Sequence, residues 1–143
     1  MAVKQVRVCL LAGAVMPVRR TGGAAGFDLA ASESRTVPAQ GFALIRTGVR
    51  LELPQGIEAQ VRPRSGLASN RGIGILNSPG TIDPDFRGEI KVVLFNCSSR
   101  AFRVRRGDRI AQLVFSNLAA VKLRRAVRLS RTRRGMSGFG STG

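Results

Sequence analysis

The sequence predicts an all-β domain, on two observations. Short runs of alternating apolar and polar residues recur along the chain with Gly or Pro between them, which is typical of half-buried strands. No segment sustains an apolar period of 3.6 residues for three turns, as an amphipathic helix would. Many short strands at this spacing indicate a sandwich, a jelly roll or a barrel.

The predicted strands follow in chain order, each marked by its alternating apolar residues. They are centred on Val6, Val8 and Leu10; Val49, Leu51 and Leu53; Ile57, Ala59 and Val61; Ile90, Val92 and Leu94; Phe102 and Val104; Val121 and Leu123; and Val127 and Leu129. One short helical turn is expected over residues 66–70, with Ser65 as its cap. The first run also resembles a signal peptide, but its alternation favours a core strand.

Length and composition limit the functions that this chain can have. A chain of 143 residues fits one domain with its own core, and no segment is long enough to span a bilayer. Histidine is absent, which excludes histidine catalysis and histidine metal ligation, so a general base must be a carboxylate. Cys9 and Cys97 are too few for a disulfide scaffold. We expect both to be buried and reduced in a cytoplasmic protein, with a single bridge as the alternative.

The charge of the chain points to an anionic partner. Its 24 basic and 8 acidic residues give a formal charge of +16. Twelve of the basic residues lie in residues 100–143, where Asp108 is the only acid. Polyphosphate substrates and nucleic acid both satisfy this charge, and composition does not separate them.

Two segments in the first half carry residues suited to phosphate chemistry. Asp28 sits between apolar neighbours in residues 25–30, where a turn or strand-edge carboxylate is the simpler interpretation. Residues 62–68 offer the guanidinium of Arg64, the hydroxyl of Ser65 and free N–H groups at a helix start, which are parts of phosphate sites. The alternative for that segment is an N-capped turn with a solvated arginine.

The third segment, residues 77–96, joins a tight turn to a buried strand. Asp83 precedes the φ-restricted Pro84 and the ring of Phe86, so a general base there can face an apolar wall. The amide of Asn77 can donate and accept to a base edge. A polar hairpin turn without catalytic function is the alternative, since Asp-Pro is a common turn signal.

The last two segments are a strand with one polar side chain and a glycine-rich tail. Gln112 lies among apolar residues after the turn at residues 106–109, and a lone Gln there more often faces solvent. Residues 134–143 hold too many glycines to fold alone, yet their N–H groups, hydroxyls and Phe139 can order over an anionic ligand. The alternative is a frayed terminus.

Together these five segments resemble the five motifs of the homotrimeric deoxyuridine triphosphatase (dUTPase) family, over residues 23–143. The resemblance is carried by Pro-Arg-Ser-Gly-Leu-Ala, Gly-Thr-Ile-Asp-Pro-Asp-Phe-Arg-Gly, Gly-Asp-Arg-Ile-Ala-Gln-Leu and Gly-Phe-Gly-Ser-Thr-Gly in this order. It implies a jelly-roll-like β pseudobarrel over residues 1–130 and a flexible, active-site-closing arm over residues 131–143. It also implies a homotrimer with shared sites that hydrolyses dUTP to dUMP and pyrophosphate with Mg²⁺, supplying dUMP for thymidylate synthesis.

The resemblance also implies a role for each candidate residue. Asp83 would activate the water that attacks the α-phosphorus, and Asp28 would act on Mg²⁺ through water. The phosphate-binding residues would be Arg64, Ser65, Gly66, Gln112, Arg134, Ser141 and Thr142. The residues at uracil and deoxyribose would be Asn77, Thr81, Asp83, Phe86, Lys91, Phe139 and Gly140.

Some residues depart from the family pattern and keep alternatives open. Phe86 stands where the family usually has Tyr, and Arg131 and Arg133 are basic where acids are more frequent. The arginine excess motivates a second hypothesis, a dUTPase-derived scaffold that binds nucleic acid or protein, and also weak nonspecific nucleic-acid binding as an added property. The related dCTP deaminases share the fold, but the hairpin around Asp83 and the glycine-rich arm fit the dUTPase pattern better.

Overall fold

A computed structural model describes residues 3–141 of the chain. These residues form one helix, α1 (Ser65–Arg71), and ten strands. The strands are β1 (Arg7–Leu10), β2 (Phe27–Ala30), β3 (Arg35–Val37), β4 (Gly41–Glu52), β5 (Ile57–Arg62), β6 (Ile73–Ile75), β7 (Gly80–Ile82), β8 (Glu89–Asn96), β9 (Phe102–Val104) and β10 (Arg109–Asn117).

The strands form two four-stranded antiparallel sheets and one smaller sheet. One large sheet has the order β1-β4-β8-β6 and the other β2-β10-β5-β7, while β3 pairs with β9. A single apolar core draws side chains from both large sheets, among them Leu29, Ile45, Ile90 and Leu113. The sheets do not close into a barrel within the described residues. The prediction of an all-β, jelly-roll-like fold is confirmed.

Alternation of apolar residues predicted five of the strands because each has one face on this core. In β8, for example, Ile90, Val92 and Leu94 are buried while the residues between them are exposed or half-buried. The first predicted run is a strand, β1, but it lies at a sheet edge and is mostly exposed. Val6 and Val8 are partly buried against the core, whereas Leu10 is exposed.

Two predicted strands do not form in this chain. No strand is present between Asn117 and residue 141, and Val121, Leu123, Val127 and Leu129 are each at least 79% exposed. The alternation is real, but a strand also needs a neighbour for its backbone groups, and none of the described strands pairs with this stretch. The prediction was therefore wrong for the single chain.

Helix α1 begins one residue earlier than predicted. Arg64 holds the cap position in an extended conformation, and no side chain caps the helix. The prediction of Ser65 as the cap is wrong, because Ser65 is already the first helical residue. Its hydroxyl and the first N–H groups of the helix are therefore left for another acceptor or donor.

The cysteines are also corrected by the structure. Cys9 and Cys97 are both free thiols, but both are exposed rather than buried. Cys9 lies on the edge strand β1 opposite Arg50, and Cys97 follows the end of β8, so neither reaches the core. No helix in the described part of the chain has the length and apolar character to cross a bilayer.

Candidate active site

Asp28 and Gln112 face each other across two neighbouring strands. The register of β2 and β10 places them directly opposite, with the amide Nε2 of Gln112 3.5 Å from Oδ1 of Asp28. A β-bulge lies between Arg109 and Ala111. In a regular strand Arg109 and Gln112 would point to opposite faces because they are three residues apart. The extra residue of the bulge resets the alternation, and both side chains reach Asp28.

The carboxylate of Asp28 is buried among positive charges. Its Oδ2 accepts hydrogen bonds from Nη1 of Arg109 at 2.9 Å and from Nε of Arg20 at 3.2 Å. Burial by itself would raise the pKa of Asp28, but the hydrogen bonds from Arg109, Arg20 and Gln112 and the charge of Arg109 outweigh it and lower the pKa. Asp28 is therefore ionised at neutral pH, and its carboxylate binds two guanidinium groups.

Arg64 extends this network to the start of α1. Its Nη1 donates to the backbone carbonyl of Arg109 at 2.9 Å, which joins the segment before the helix to β10. Three guanidinium groups, those of Arg20, Arg64 and Arg109, line one open cavity of about 360 Å³. We call this cavity the arginine groove. Its charge and its position beside the first turn of α1, which carries Ser65 and Gly66, suit a polyphosphate.

A second cavity, which we call the hairpin pocket, lies beside the turn that joins β7 of one large sheet to β8 of the other. This hairpin pocket, about 230 Å³ in volume, is lined by Asn77, Thr81, Phe86 and Lys91 together with apolar residues of β5, β6 and β8. The peptide bond between Ser78 and Pro79, next to Asn77, is cis. Four of the five residues predicted for base and sugar recognition in the third segment therefore line one pocket, and the fifth, Asp83, does not line it.

Asp83 follows the last residue of β7 and starts a tight turn. The N–H of Phe86 donates to the carbonyl of Asp83 at 3.2 Å, and the guanidinium of Arg87 donates to the carbonyl of Pro84 at 2.6 Å. The predicted turn is therefore real, and it is braced from both sides. The side chain of Asp83 is exposed next to the hairpin pocket, so its carboxylate is open to solvent and ligand.

The described part of the C-terminal arm, residues 131–141, does not line the hairpin pocket. Its hydrogen bonds are local: Nε of Arg134 donates to the carbonyl of Ser137, and the N–H of Ser141 donates to the carbonyl of Gly138. Phe139, with φ of 51°, is fully exposed, and Gly140 follows it at φ of 83°. The predicted phosphate contact of Thr142 lies outside the described residues.

Within a single chain, the predicted site residues lie in three separate places. Residues of the second and fourth segments line the arginine groove, and Asp28 of the first segment binds two of its arginines. Residues of the third segment line the hairpin pocket, and no described residue of the arm lines either cavity. Sequence reasoning missed Arg20 and Arg109, which hold Asp28. Arg109 lies in the quoted Gly-Asp-Arg-Ile-Ala-Gln-Leu motif, but an alternating pattern cannot reveal the bulge that turns it toward Asp28.

The comparisons with known proteins agree on one family. The dUTPase family model matches residues 12–143. Deoxyuridine 5'-triphosphate nucleotidohydrolase of Wolinella succinogenes is 50% identical over 143 residues, covering 98% of this chain and 96% of that protein. The enzyme of the same name from Helicobacter hepaticus is 49% identical over 130 residues, which are 91% of this chain and 82% of that protein.

Solved structures show the same relationship. A variant of the Staphylococcus bacteriophage 80alpha dUTPase with dUpNHpp superposes with a TM-score of 0.91 at 26% identity, covering 99% of each chain. A second structure of that dUTPase with dUpNHpp gives a TM-score of 0.89, also at 26% identity. The motifs, the fold and the matched length together place this chain in the dUTPase family.

Proposed function

We propose that this protein hydrolyses dUTP to dUMP and pyrophosphate in the cytoplasm, where it supplies dUMP for thymidylate synthesis. The observation that carries this proposal is the pairing of two sites in one family member. A groove lined by three guanidinium groups suits a triphosphate, and a hairpin pocket lined by Ile82, the residue before the exposed Asp83, suits the nucleoside. The names of the relatives from Wolinella succinogenes and Helicobacter hepaticus support the same substrate.

The phosphate chain binds at the arginine groove. Arg64 offers a planar fork of donors, and Ser65 and Gly66 offer a hydroxyl and N–H groups that no side chain caps. Gln112 lies opposite Asp28, which holds two arginines of the groove, and we place its amide on the phosphate chain. From the arm, Arg134, Ser141 and Thr142 close on the γ-phosphate. The hydrogen bonds of Arg134 and Ser141 to the ligand replace contacts that are local to the arm in the described structure.

The nucleoside binds in the hairpin pocket. Asn77 and the backbone of β7 read the uracil edge, Thr81 and Lys91 line the pocket, and Phe86 packs on the deoxyribose. A pocket of about 230 Å³ has little room for the methyl group of thymine. Cytosine would leave buried donors and acceptors unpaired, which costs more than a poor apolar fit. Phe139, with Gly140 beside it, stacks on the base from the arm.

Mg²⁺ is the cofactor in this proposal, and the donors of the chain fit a metal ion that is held mainly by the substrate. Residues 3–141 contain no cluster of three or more His, Cys, Asp or Glu side chains able to cage an ion. Asp28 has its Oδ2 taken by two arginines, while Oδ1 has only the distant amide of Gln112. That oxygen suits a contact through water to an ion bound by phosphate oxygens, which neutralises their charge.

Asp83 is the general base of the reaction. It accepts a proton from water as the water oxygen bonds to the α-phosphorus, and the bond from that phosphorus to the bridging oxygen of the β-phosphate breaks. Pyrophosphate leaves with the electron pair of the broken bond, and dUMP remains. The arginines and the arm hold the reacting atoms in line, so most of the rate comes from positioning and from charge stabilisation.

The complete site requires more than one copy of the chain, and we propose a homotrimer. The arginine groove, the hairpin pocket and the arm are separate within one chain, so neighbouring copies bring them together. Mixing two inactive variants tests this point. Asp83→Asn mixed with a chain lacking residues 134–143 should recover activity after joint refolding, because some sites then hold both an intact carboxylate and an intact arm. If the mixture stays inactive, each site is built within one chain.

One assay tests the reaction itself. The purified protein is incubated with Mg²⁺ and each of dUTP, dCTP, dTTP and UTP, and pyrophosphate release is followed. We expect release from dUTP alone at a substantial rate. Equal rates with all four nucleotides, or release from dCTP in preference, would overturn the assignment of the hairpin pocket to uracil and deoxyribose.

A further inference from the structure

The positive charge of this protein far exceeds what a nucleotide site uses. Four of the 24 basic side chains, those of Arg7, Arg20, Arg46 and Arg109, form ion pairs with Asp or Glu in the described structure. The proposed site adds Arg64, Lys91 and Arg134. Most of the remaining cations are free to act on another anion.

Six of these cations lie in one stretch, residues 121–133, which we call the basic segment. They are Lys122, Arg124, Arg125, Arg128, Arg131 and Arg133, and the segment contains no acidic residue. Every residue of the segment is exposed, and none of the six pairs with an Asp or Glu of residues 3–141. The nearest hydrogen bond to the folded body precedes it, from the N–H of Leu118 to the carbonyl of Gly56.

The spacing of these charges matches a polymer of anions. From Lys122 to Arg133 the segment reaches at most about 38 Å, with a cation on average every two residues or about 7 Å. One strand of a duplex carries a phosphate about every 3.4 Å along its axis, so cations about 7 Å apart meet about every second phosphate. Five of the six are arginines, whose planar fork pairs with phosphate oxygens. An irregular segment suffices, because a uniform backbone demands no fixed side-chain geometry.

We propose that the basic segment binds the phosphate backbone of nucleic acid without sequence preference. Aromatic residues are absent from the segment, so base stacking does not contribute, and contacts to phosphate supply the affinity. In an extended conformation Lys122, Arg124 and Arg128 project to one side, while Arg125, Arg131 and Arg133 share the other side with Val121, Leu123, Val127 and Leu129. Three of the six cations therefore stay available if the apolar side packs on another copy.

Two other polyanions fit the segment less well. Binding to an anionic membrane favours a helix with a 3.6-residue apolar stripe and aromatic anchors, whereas this segment alternates with a period of two and has no aromatic residue. An acidic protein surface presents scattered carboxylates. A folded partner of complementary shape binds such a surface better than an irregular, arginine-rich segment does.

The test compares two variants of equal charge in the full-length protein. The first replaces Lys122, Arg124, Arg125 and Arg128 by Gln, in the basic segment. The control replaces Arg35, Arg71, Arg100 and Arg103 by Gln; these are exposed, form no ion pair in the described structure and lie on the folded body. Fluorescence anisotropy with a labelled 20-base-pair duplex is measured from 50 to 300 mM NaCl. Single-stranded DNA and anionic phosphatidylserine vesicles form the other arms.

Six phosphate contacts predict a slope of about −5 for log K against log salt with the duplex, since each contributes about −0.9. The segment variant should make the slope shallower by about three to four units, while the control keeps most of it. The proposal would be overturned if the wild type showed no binding to the labelled duplex at 50 mM NaCl. It would also be overturned if both variants lost the same amount of affinity for the duplex, because only net charge would then matter. Tighter binding to vesicles than to duplex would also overturn it. None of these measurements depends on hydrolysis of dUTP.

Discussion

Nη1 of Arg109 donates a 2.9 Å hydrogen bond to Oδ2 of Asp28, whose side chain is only 7% exposed. This contact joins β2 to the bulged start of β10, and the carbonyl of Arg109 in turn accepts from Arg64. One buried anion thereby orients the guanidinium groups of the arginine groove. Asp28 is a positioning residue for these arginines before any ligand binds.

The two arginines on Asp28 should contribute unequally to stability. Arg109→Gln leaves a buried carboxylate with a poorer partner, and we expect the free energy of unfolding to fall by about 1–3 kcal/mol. Arg20→Gln is the matched control. Its side chain is 63% exposed and its contact is longer, so we expect a loss below about 1 kcal/mol. Urea unfolding at one protein concentration measures both, and equal losses would contradict this ranking.

The lowered pKa of Asp28 predicts how stability depends on pH. The native pKa lies below the ordinary value of 3.8, so the charged form is favoured by folding. Its contribution to stability is full above the unfolded pKa and disappears as pH falls through the native pKa. The stability difference between the wild type and Asp28→Asn should therefore be constant near neutral pH and shrink below about pH 4. A difference that does not change between pH 7 and pH 3 would show that the charge is not its source.

Asp83→Asn should abolish hydrolysis and leave dUTP binding largely intact. Asn keeps the shape of the side chain but cannot accept the proton of water, and a general base contributes about 10²–10⁴-fold to rate. Asp85→Asn is the control, because Asp85 is an exposed carboxylate two residues away in the same turn. We expect its turnover to stay close to that of the wild type. Pyrophosphate release and calorimetric binding of dUTP separate the two effects, and near-normal turnover of Asp83→Asn would remove it as the base.

Deleting residues 134–143 should lower turnover far more than stability. The described residues of this stretch form only local hydrogen bonds, so their removal should change the free energy of unfolding by less than about 0.5 kcal/mol. We expect kcat/KM to fall by about 10²-fold or more, because the arm no longer contacts the γ-phosphate and the uracil ring. An unchanged rate would mean that the arm is a frayed terminus.

Gly88→Ala should disturb the sugar contact of the hairpin pocket. A Cβ at Gly88 would lie 2.6 Å from the ring of Phe86, which is half exposed and able to swing away. We expect a higher KM for dUTP and weaker discrimination against UTP, with little loss of stability. Gly23→Ala is the control, since a Cβ there meets nothing within 4 Å. Unchanged discrimination would show that Phe86 does not exclude the ribose hydroxyl.

Much of the fold follows from local pattern. Ile90, Val92 and Leu94 alternate because β8 has one face on the core, and the same rule located β4, β5 and β9. The turn at Asp83 was also predictable, because the Asp-Pro pair restricts the backbone locally. The family motifs identified the candidate residues in advance. The strands and the turn depend on residues that are close in sequence, so the sequence alone is enough to predict them.

Contacts between distant segments were decided by the tertiary structure alone. The bulge before Ala111 turns Arg109 toward Asp28, a contact between residues 81 positions apart. Cys9 is exposed because β1 is an edge strand, and Cys97 is exposed because it follows the end of β8. Val121 and Leu123 alternate as strand residues do, yet they form no strand, because pairing requires a partner that this chain does not offer them. Local periodicity specifies which face of a segment is apolar, and only the assembled fold determines what that face meets.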